Sequence, residues 1–296
     1  MAAPVADTGT LGERTTPMNH AEQDDPEQDD GLGPLSPPPS AESGFSTSRT
    51  VRTGDVDPRR RLRLDSIARY LQDVAGDDLE FTGHARTDPY WIVRRTVIDV
   101  IEPITWPATV HLHRWCSGLS TRWANMRVRL TADPQAGPDD AGTRPDGLVE
   151  TEAFWINVNA EGVPARISNE GFATLSASTQ DHRLRWAAMT EPLPTEAPGR
   201  DLPVDRPHVL RSTDFDLLQH LNNAAYLDAV EDELLDHQDL LRGRHRIVIE
   251  YSRPVVPGAV MTIRRIRSGD RLRMWMLVED RVAAAVTVTG RPDARQ

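Results

Sequence analysis

Lysine is absent from this chain of 296 residues; all 34 basic side chains are arginine. That excludes a Schiff-base lysine and the lysine of a phosphate-binding P-loop. Cysteine is almost absent too. With Cys116 alone no intrachain disulfide can form, which fits a cytoplasmic location. There is no apolar run of about 18 residues, so no membrane span is expected, and no basic-then-apolar signal segment opens the chain. Aromatic residues are 5% of the chain, and its seven tryptophans, several near strand ends, read most simply as core.

Charge is present but unevenly placed. Residues 1–50 hold nine acids against Arg14 and Arg49, a balance of −7 out of a total of −11. The remaining body, at −4, is nearly balanced and gives no reason to expect nucleic-acid binding. Residues 1–45 are acidic and rich in Pro, Gly and Ser, with Leu35-Ser36-Pro37-Pro38-Pro39 near their end. Such a segment buries too little apolar surface to offset ordering entropy, so it reads as a disordered, dispensable tail.

The body carries a weak internal repeat. Ala68–Ala75 mirrors Ala224–Glu231 at an offset of 156, and Pro103–Ala108 resembles Pro254–Ala259. Each copy predicts a helix, near 62–77 and 222–241, with Leu64, Ile67, Leu71 and Val74 forming the apolar stripe of one. Four strand-like runs come after each helix: about Trp91–Val100, Thr109–Trp115, Thr121–Thr131 and Val149–Val158, then Arg246–Tyr251, Ala259–Arg267, Arg271–Val278 and Arg281–Thr289. A short apolar strand, Pro207–Arg211, precedes the second helix. A sheet wrapped on one long helix fits this order in each half, with a six-stranded barrel and an incidental helix as the alternative. Two copies would then pack sheet to sheet. Ala132–Gly147 reads as an insertion between strands, and Glu191–Arg206 as a Pro-rich linker.

The richest chemistry lies where strand meets helix in the second copy. Asp216, His220, Asn222 and Asn223 cluster just before the helix carrying Leu227, Val230 and Leu234. A helix N-terminus offers free backbone N–H groups, suited to an electrophilic carbonyl whose oxygen becomes negative in the transition state. Asp216 there can activate water or attack a carbonyl directly; the plainer alternative is that it caps the turn. His220 can serve as a general base or simply pack and orient substrate. Aligned on Tyr70 and Tyr226, Asp216 faces Arg60, His220 faces Leu64, and Asn222 and Asn223 face Ser66 and Ile67. One active site per chain is the simplest reading, with the N-terminal half supplying scaffold.

These residues resemble the signature Asp-x-x-x-His-x-Asn-Asn-x-x-Tyr of hotdog-fold thioesterases, with Tyr226 completing it. Over about residues 46 to 290, including Arg114-Trp115-Cys116-Ser117-Gly118 and Arg122-Trp123, the chain is similar to the acyl-acyl-carrier-protein thioesterase family, built from two hotdog domains in tandem. The resemblance implies an α+β double hotdog: a tail at 1–45, an N-terminal domain at 46–190 with a degenerate site, a linker at 191–206 and a catalytic domain at 207–296. It also implies a cytoplasmic thiolester hydrolase of fatty acid biosynthesis, acting on acyl carrier protein or acyl-CoA, with Asp216 and His220 catalytic and Asn222 and Asn223 positioning substrate. The alternatives are an acyl-CoA thioesterase and a non-catalytic acyl-binding protein. No cofactor is implied, and self-association into a homodimer stays open.

The chain departs from the family at Leu218, where an asparagine is usual, and at Pro254 and Val255, where an acidic residue often stands beside a cysteine. What remains is similar to 4-hydroxybenzoyl-CoA thioesterases, which rely on one carboxylate and a helix N-terminus. Glu231 is a conceivable substitute acid, though it reads more simply as a solvated helix residue. Hotdog hydratases place histidine five residues after the aspartate; the gap here is four. His111, His113 and Cys116 have the look of a metal site without an evident fourth ligand, so no metal is expected. Arg59–Arg61 with Arg63, and Arg264, Arg265 and Arg267, could meet an acidic carrier or a CoA phosphate, or simply face solvent.

Overall fold

The computed structural model describes residues 33–37, 40, 43–134, 146–194 and 203–290. Ten strands form one antiparallel sheet. In chain order they are β1 (Phe45–Thr50), β2 (Trp91–Glu102), β3 (Ala108–Leu119), β4 (Trp123–Pro134), β5 (Gly147–Asn157), β6 (Val204–His208), β7 (His245–Tyr251), β8 (Met261–Ser268), β9 (Arg271–Val278) and β10 (Arg281–Gly290). Across the sheet the order is β1-β3-β4-β5-β2-β7-β10-β9-β8-β6, so each half repeats the same sequence of strands outward from the centre. The helices are α1 (Leu64–Thr82), a short α2 (Asn169–Ser176) that no sequence pattern signalled, and α3 (Asn223–Leu234), which continues as a 3-10 turn over Leu235–Leu241.

The two halves join edge to edge, not sheet to sheet. β2 pairs with β7 in the register Arg95↔Glu250, Ile98↔Ile247 and Asp99↔Arg246. Alternation then sends Ile98, Val100, Ile247 and Ile249 to the face covered by α1 and α3, where one apolar core spans both halves. The helices run antiparallel to each other: Glu231 of α3 meets the first residue of α1, and Gln72 of α1 meets Asn222 at the start of α3.

The opposite face carries the charges. Arg95 and Glu250 lie 3.6 Å apart at 8% side-chain exposure each, and Arg246 lies 2.7 Å from Asp99, which is 1% exposed. Extended segments cover them. The carbonyl of Gly33 accepts from Arg246 (2.6 Å), and that of Ser36 accepts from Arg127. Symmetrically, Ala187 O accepts from Arg95 (2.6 Å), and Glu191 accepts from Arg273 (2.5 Å) and from the Trp275 indole (3.0 Å). Residues 33–37 therefore belong to the folded body, which corrects the tail boundary at residue 45; residues 1–32 lie outside the described residues. The expected linker likewise begins as a strap at Glu191 and ends inside β6, with residues 195–202 outside the described residues. The insertion expected at Ala132–Gly147 joins β4 to β5, and residues 135–145 of it are also outside.

Candidate functional site

Structural equivalence of the two copies falls at an offset of 159 residues, three more than the sequence repeat suggested. Leu64 opens α1 as Asn223 opens α3. Ahead of each helix the chain makes the same tight turn. Asp57 Oδ1 accepts from Arg59 N (2.8 Å) and Arg61 N (2.8 Å); Asp216 Oδ1 accepts from Leu218 N (2.8 Å) and His220 N (3.2 Å). Arg60 and Gln219 hold matching left-handed conformations at φ 66° and 58°. So Asp216 faces Asp57, not Arg60, His220 faces Arg61, and Asn222 and Asn223 face Arg63 and Leu64. The carboxylate persists in the first copy because the turn needs it. The copies diverge past that turn, at the helix ends.

The α3 end has its own cap. Asn222 Oδ1 accepts from Ala224 N (2.8 Å) and from Gln72 Nε2 (3.0 Å), while Asn222 O takes the amides of Ala225 and Tyr226. That leaves the amide of Asn223 as the first-turn donor. At α1, Arg63 supplies no cap, and Glu231 reaches over from α3 so that its Oε2 accepts from Leu64 N at 2.7 Å. Gln72 and Glu231 are counterparts: one helix end faces an amide, the other a carboxylate that fills its first amide. Glu231 is thus not a solvated residue. Burial, with Asp65 and Asp57 nearby, pushes its carboxyl up to about 7 against an ordinary 4.5. It borders a cavity of about 30 Å³ lined by Arg61, Leu64, Ile67 and His245, room for about one water.

The α3 end is open. A cleft of about 350 Å³ runs past Arg69, Gln72, Arg211, Thr213, Asn222 and Asp228. Gln72 also lines a cavity of about 230 Å³ inside the N-terminal half, walled by Ala75, Leu79, Trp91, Met126, Trp155 and Leu175. Of the four site residues the sequence singled out, Asn222 lines the cleft and Asn223 opens α3. Asp216 and His220 share the exposed turn just before it and line none of these spaces. Both bonds to Asp216 fall on Oδ1, so Oδ2 keeps its acceptor capacity. Gln72, and the capping role of Glu231, escaped the sequence reading because each acts on the other copy's helix; their signal was a polar residue at the same helical position in both copies.

Other candidates resolve as structure. His111 meets Asp133 (3.1 Å) and His113 meets Ser46 (2.9 Å), while the buried Cys116 thiol is pushed up to about 12 by burial. Among the described residues no group of three His, Cys, Asp or Glu could hold a metal. The arginine cluster of β8 is paired: Arg264 with Asp205 (2.7 Å), Arg265 with Glu233 and Asp236, Arg267 with Asp239 (2.7 Å). Arg61 and Arg63 are paired with Asp57 and Asp65. Leu218 is exposed and Val255 buried, its carbonyl accepting from Leu221 N, so neither departure from the family pattern restores an acid. No helix among the described residues is long and apolar enough to cross a membrane.

Two units, each a helix packed against its half of the sheet, with one polar helix end beside an open cleft, define a double-hotdog protein of the thioesterase type. Models of the acyl-ACP thioesterase N-terminal and C-terminal domains match residues 42–174 and 203–284, and the chain belongs to that family. An uncharacterized protein of Mycobacterium tuberculosis, present in two strains, is 40% identical over 248 residues, 83% of this chain and 92% of its own. The fold is shared with a putative oleoyl thioesterase from Lactobacillus plantarum (TM-score 0.66, 19% identity, 85% of this chain and 98% of that one). It is shared equally with a 12:0-ACP thioesterase from Umbellularia californica (TM-score 0.62, 17% identity, 84% and 97%).

Proposed function

We propose that this chain hydrolyses fatty acyl thioesters of acyl carrier protein, releasing the free acid and the carrier's thiol, at the N-terminal end of α3. The observation that carries the reading is the asymmetry of the two helix ends. Glu231 occupies the Leu64 amide, whereas the Asn223 amide, beside Asn222, is left to a ligand oxygen. An acyl chain entering past Gln72 would lie in the 230 Å³ cavity, with its carbonyl near Asn222 and Asn223 and the carrier arm in the open cleft.

In that pose Asp216, anchored through Oδ1, takes a proton through Oδ2 from the attacking water. Water oxygen bonds to the carbonyl carbon, the oxyanion forms at the helix end, and collapse breaks the C–S bond, the thiolate leaving with a proton. His220, on the same turn, would orient that water or carry the proton to the leaving thiolate. The carrier as donor rests on the family; the arginines of β8 do not support it, because local acids already neutralise them. Acyl-CoA remains the alternative donor.

The test compares three carboxylates in purified protein, with thiol release as the readout. Asp216→Asn should lower kcat by about a hundredfold or more, the scale of a positioned acid or base. Asp57→Asn, its structural counterpart, should leave kcat within a few fold, and so should Glu231→Gln. Full activity in Asp216→Asn with collapse in Glu231→Gln would move the site to α1. Absence of thiol release from every acyl carrier and CoA ester would leave a non-catalytic acyl-binding protein.

A further inference from the structure

One oxygen of Asn222 takes two donors. Its Oδ1 accepts from Ala224 N at 2.8 Å within α3 and from Gln72 Nε2 at 3.0 Å across from α1. Its Nδ2 meets no partner among the described residues and is not a buried atom, and the residue lines the open cleft. A carboxamide has a donor at one end and an acceptor at the other, and its hydrogen bonds decide which end faces which way. Here both neighbours donate, so the oxygen is held inward and the N–H group is left for the cleft. The opposite orientation would aim a carbonyl dipole where negative charge has to develop.

The other half of the molecule shows why position 72 holds an amide. At the structural offset of 159 residues Gln72 corresponds to Glu231, and Leu64 to Asn223. Glu231 Oε2 accepts from Leu64 N at 2.7 Å and so occupies that amide. A carboxylate at position 72 would reach for Asn223 N in the same way. The carboxamide donates to Asn222 instead and leaves Asn223 N to a ligand. We propose that Gln72 is a positioning residue for the α3 site, contributed by the N-terminal half. It holds Asn222 so that Nδ2 presents a second donor, beside the amide of the adjacent Asn223, to the substrate carbonyl. The inference rests on the reading of the α3 end as the site of hydrolysis.

Steady-state hydrolysis of an acyl-carrier thioester by the full chain tests it. Gln72→Leu removes the donor at similar size, so kcat should fall by about tenfold with KM within about twofold, since the interaction matters in the transition state. Outright loss of an oxyanion donor costs about a hundredfold or more. Gln72→Glu is nearly isosteric. Its ionised carboxylate accepts where Gln72 donates, so kcat should fall further than in Gln72→Leu. Protonation restores a donor, so the ratio of its kcat to that of the wild type should rise as pH falls from about 8 to about 5. The other charged groups lining the cleft, Asp65, Arg69, Arg211, Asp214 and Asp228, are present in both proteins, and the ratio removes their common effect. Melting temperature confirms that each variant folds, and a packing defect would lower activity equally at every pH. Wild-type kcat in Gln72→Leu, or a Gln72→Glu ratio that is flat with pH, would overturn the positioning role while Asp216→Asn still reports on the site itself. No thiol release by the wild type would overturn both.

Discussion

Glu231 shows how far a single residue's meaning depends on the other half of the molecule. On α3 alone it is one more acid among Asp228, Asp232 and Glu233. In the fold it caps a helix in the other copy, within a largely apolar wall, and its carboxyl holds its proton up to about 7. That raised value sets the sign of the pH dependence. Between about 4.5 and about 7 the native state keeps a proton that the unfolded chain has lost, so stability falls as pH rises through that window. Glu231→Gln keeps an acceptor for Leu64 N but cannot ionise. Its melting temperature should vary less with pH across the window than that of the wild type, and should exceed it above pH 7. Parallel melting curves for the two proteins would refute the assignment. The motif Asp216–Asn223 was legible in sequence because its members are adjacent; the pairing of Glu231 with Leu64 and of Gln72 with Asn222 was not, because it crosses some 150 residues or more.

At the level of elements, both main helices and the four-strand series in each half were readable from periodicity, since polar and apolar residues alternate along them, even in β7, which is buried on both faces. The register of the repeat was not. Tyr70 and Tyr226 align in sequence, yet the structure matches the turns at Asp57 and Asp216, because turn chemistry fixes the chain's path more tightly than helix composition does. Two elements also changed meaning. The basic face of β8 is a ladder of ion pairs, not a free docking patch. Reversing Arg265 to Glu leaves Glu233, 2% exposed, facing a like charge, at a cost of about 3–5 kcal/mol. Reversing Arg264, whose partner Asp205 is largely exposed, should cost about 1 kcal/mol or less. Any loss of activity in the Arg265 variant should be equal for carrier and synthetic thioesters; a loss confined to the carrier would restore the docking role. The segment at 33–37 is likewise a strap whose carbonyls accept from Arg246 and Arg127. Deleting residues 1–32 should leave the melting temperature nearly unchanged, while deleting 1–37 should lower it by several degrees, a split that composition could not foresee.

Across the whole molecule, continuity of the sheet through β2 and β7 makes the two hotdog units one folding body. The internal repeat and the Pro-rich linker separate them in sequence, and the expectation of sheets stacked face to face kept them apart. Hydrogen bonding across Arg95↔Glu250 and Val100↔His245 instead fuses them, with a shared core beneath and buried charges above. The charges at that seam are few and deep. Asp99 carries both Arg246 (2.7 Å) and Arg244 (2.6 Å). Asp99→Ala would remove the buried carboxylate that both Arg246 and Arg244 meet, and should destabilise the protein by about 3–5 kcal/mol. Because the seam is shared, the loss should appear as one cooperative unfolding transition shifted to lower temperature. Replacing Asp99 by Leu together with Arg246 by Met removes both buried charges at once and should recover part of the stability, since an apolar pair of similar volume can replace a buried ion pair at little cost. Scanning calorimetry decides the matter. Two separate transitions in Asp99→Ala would mean that the halves hold their folds independently and that the continuous sheet is not what joins them.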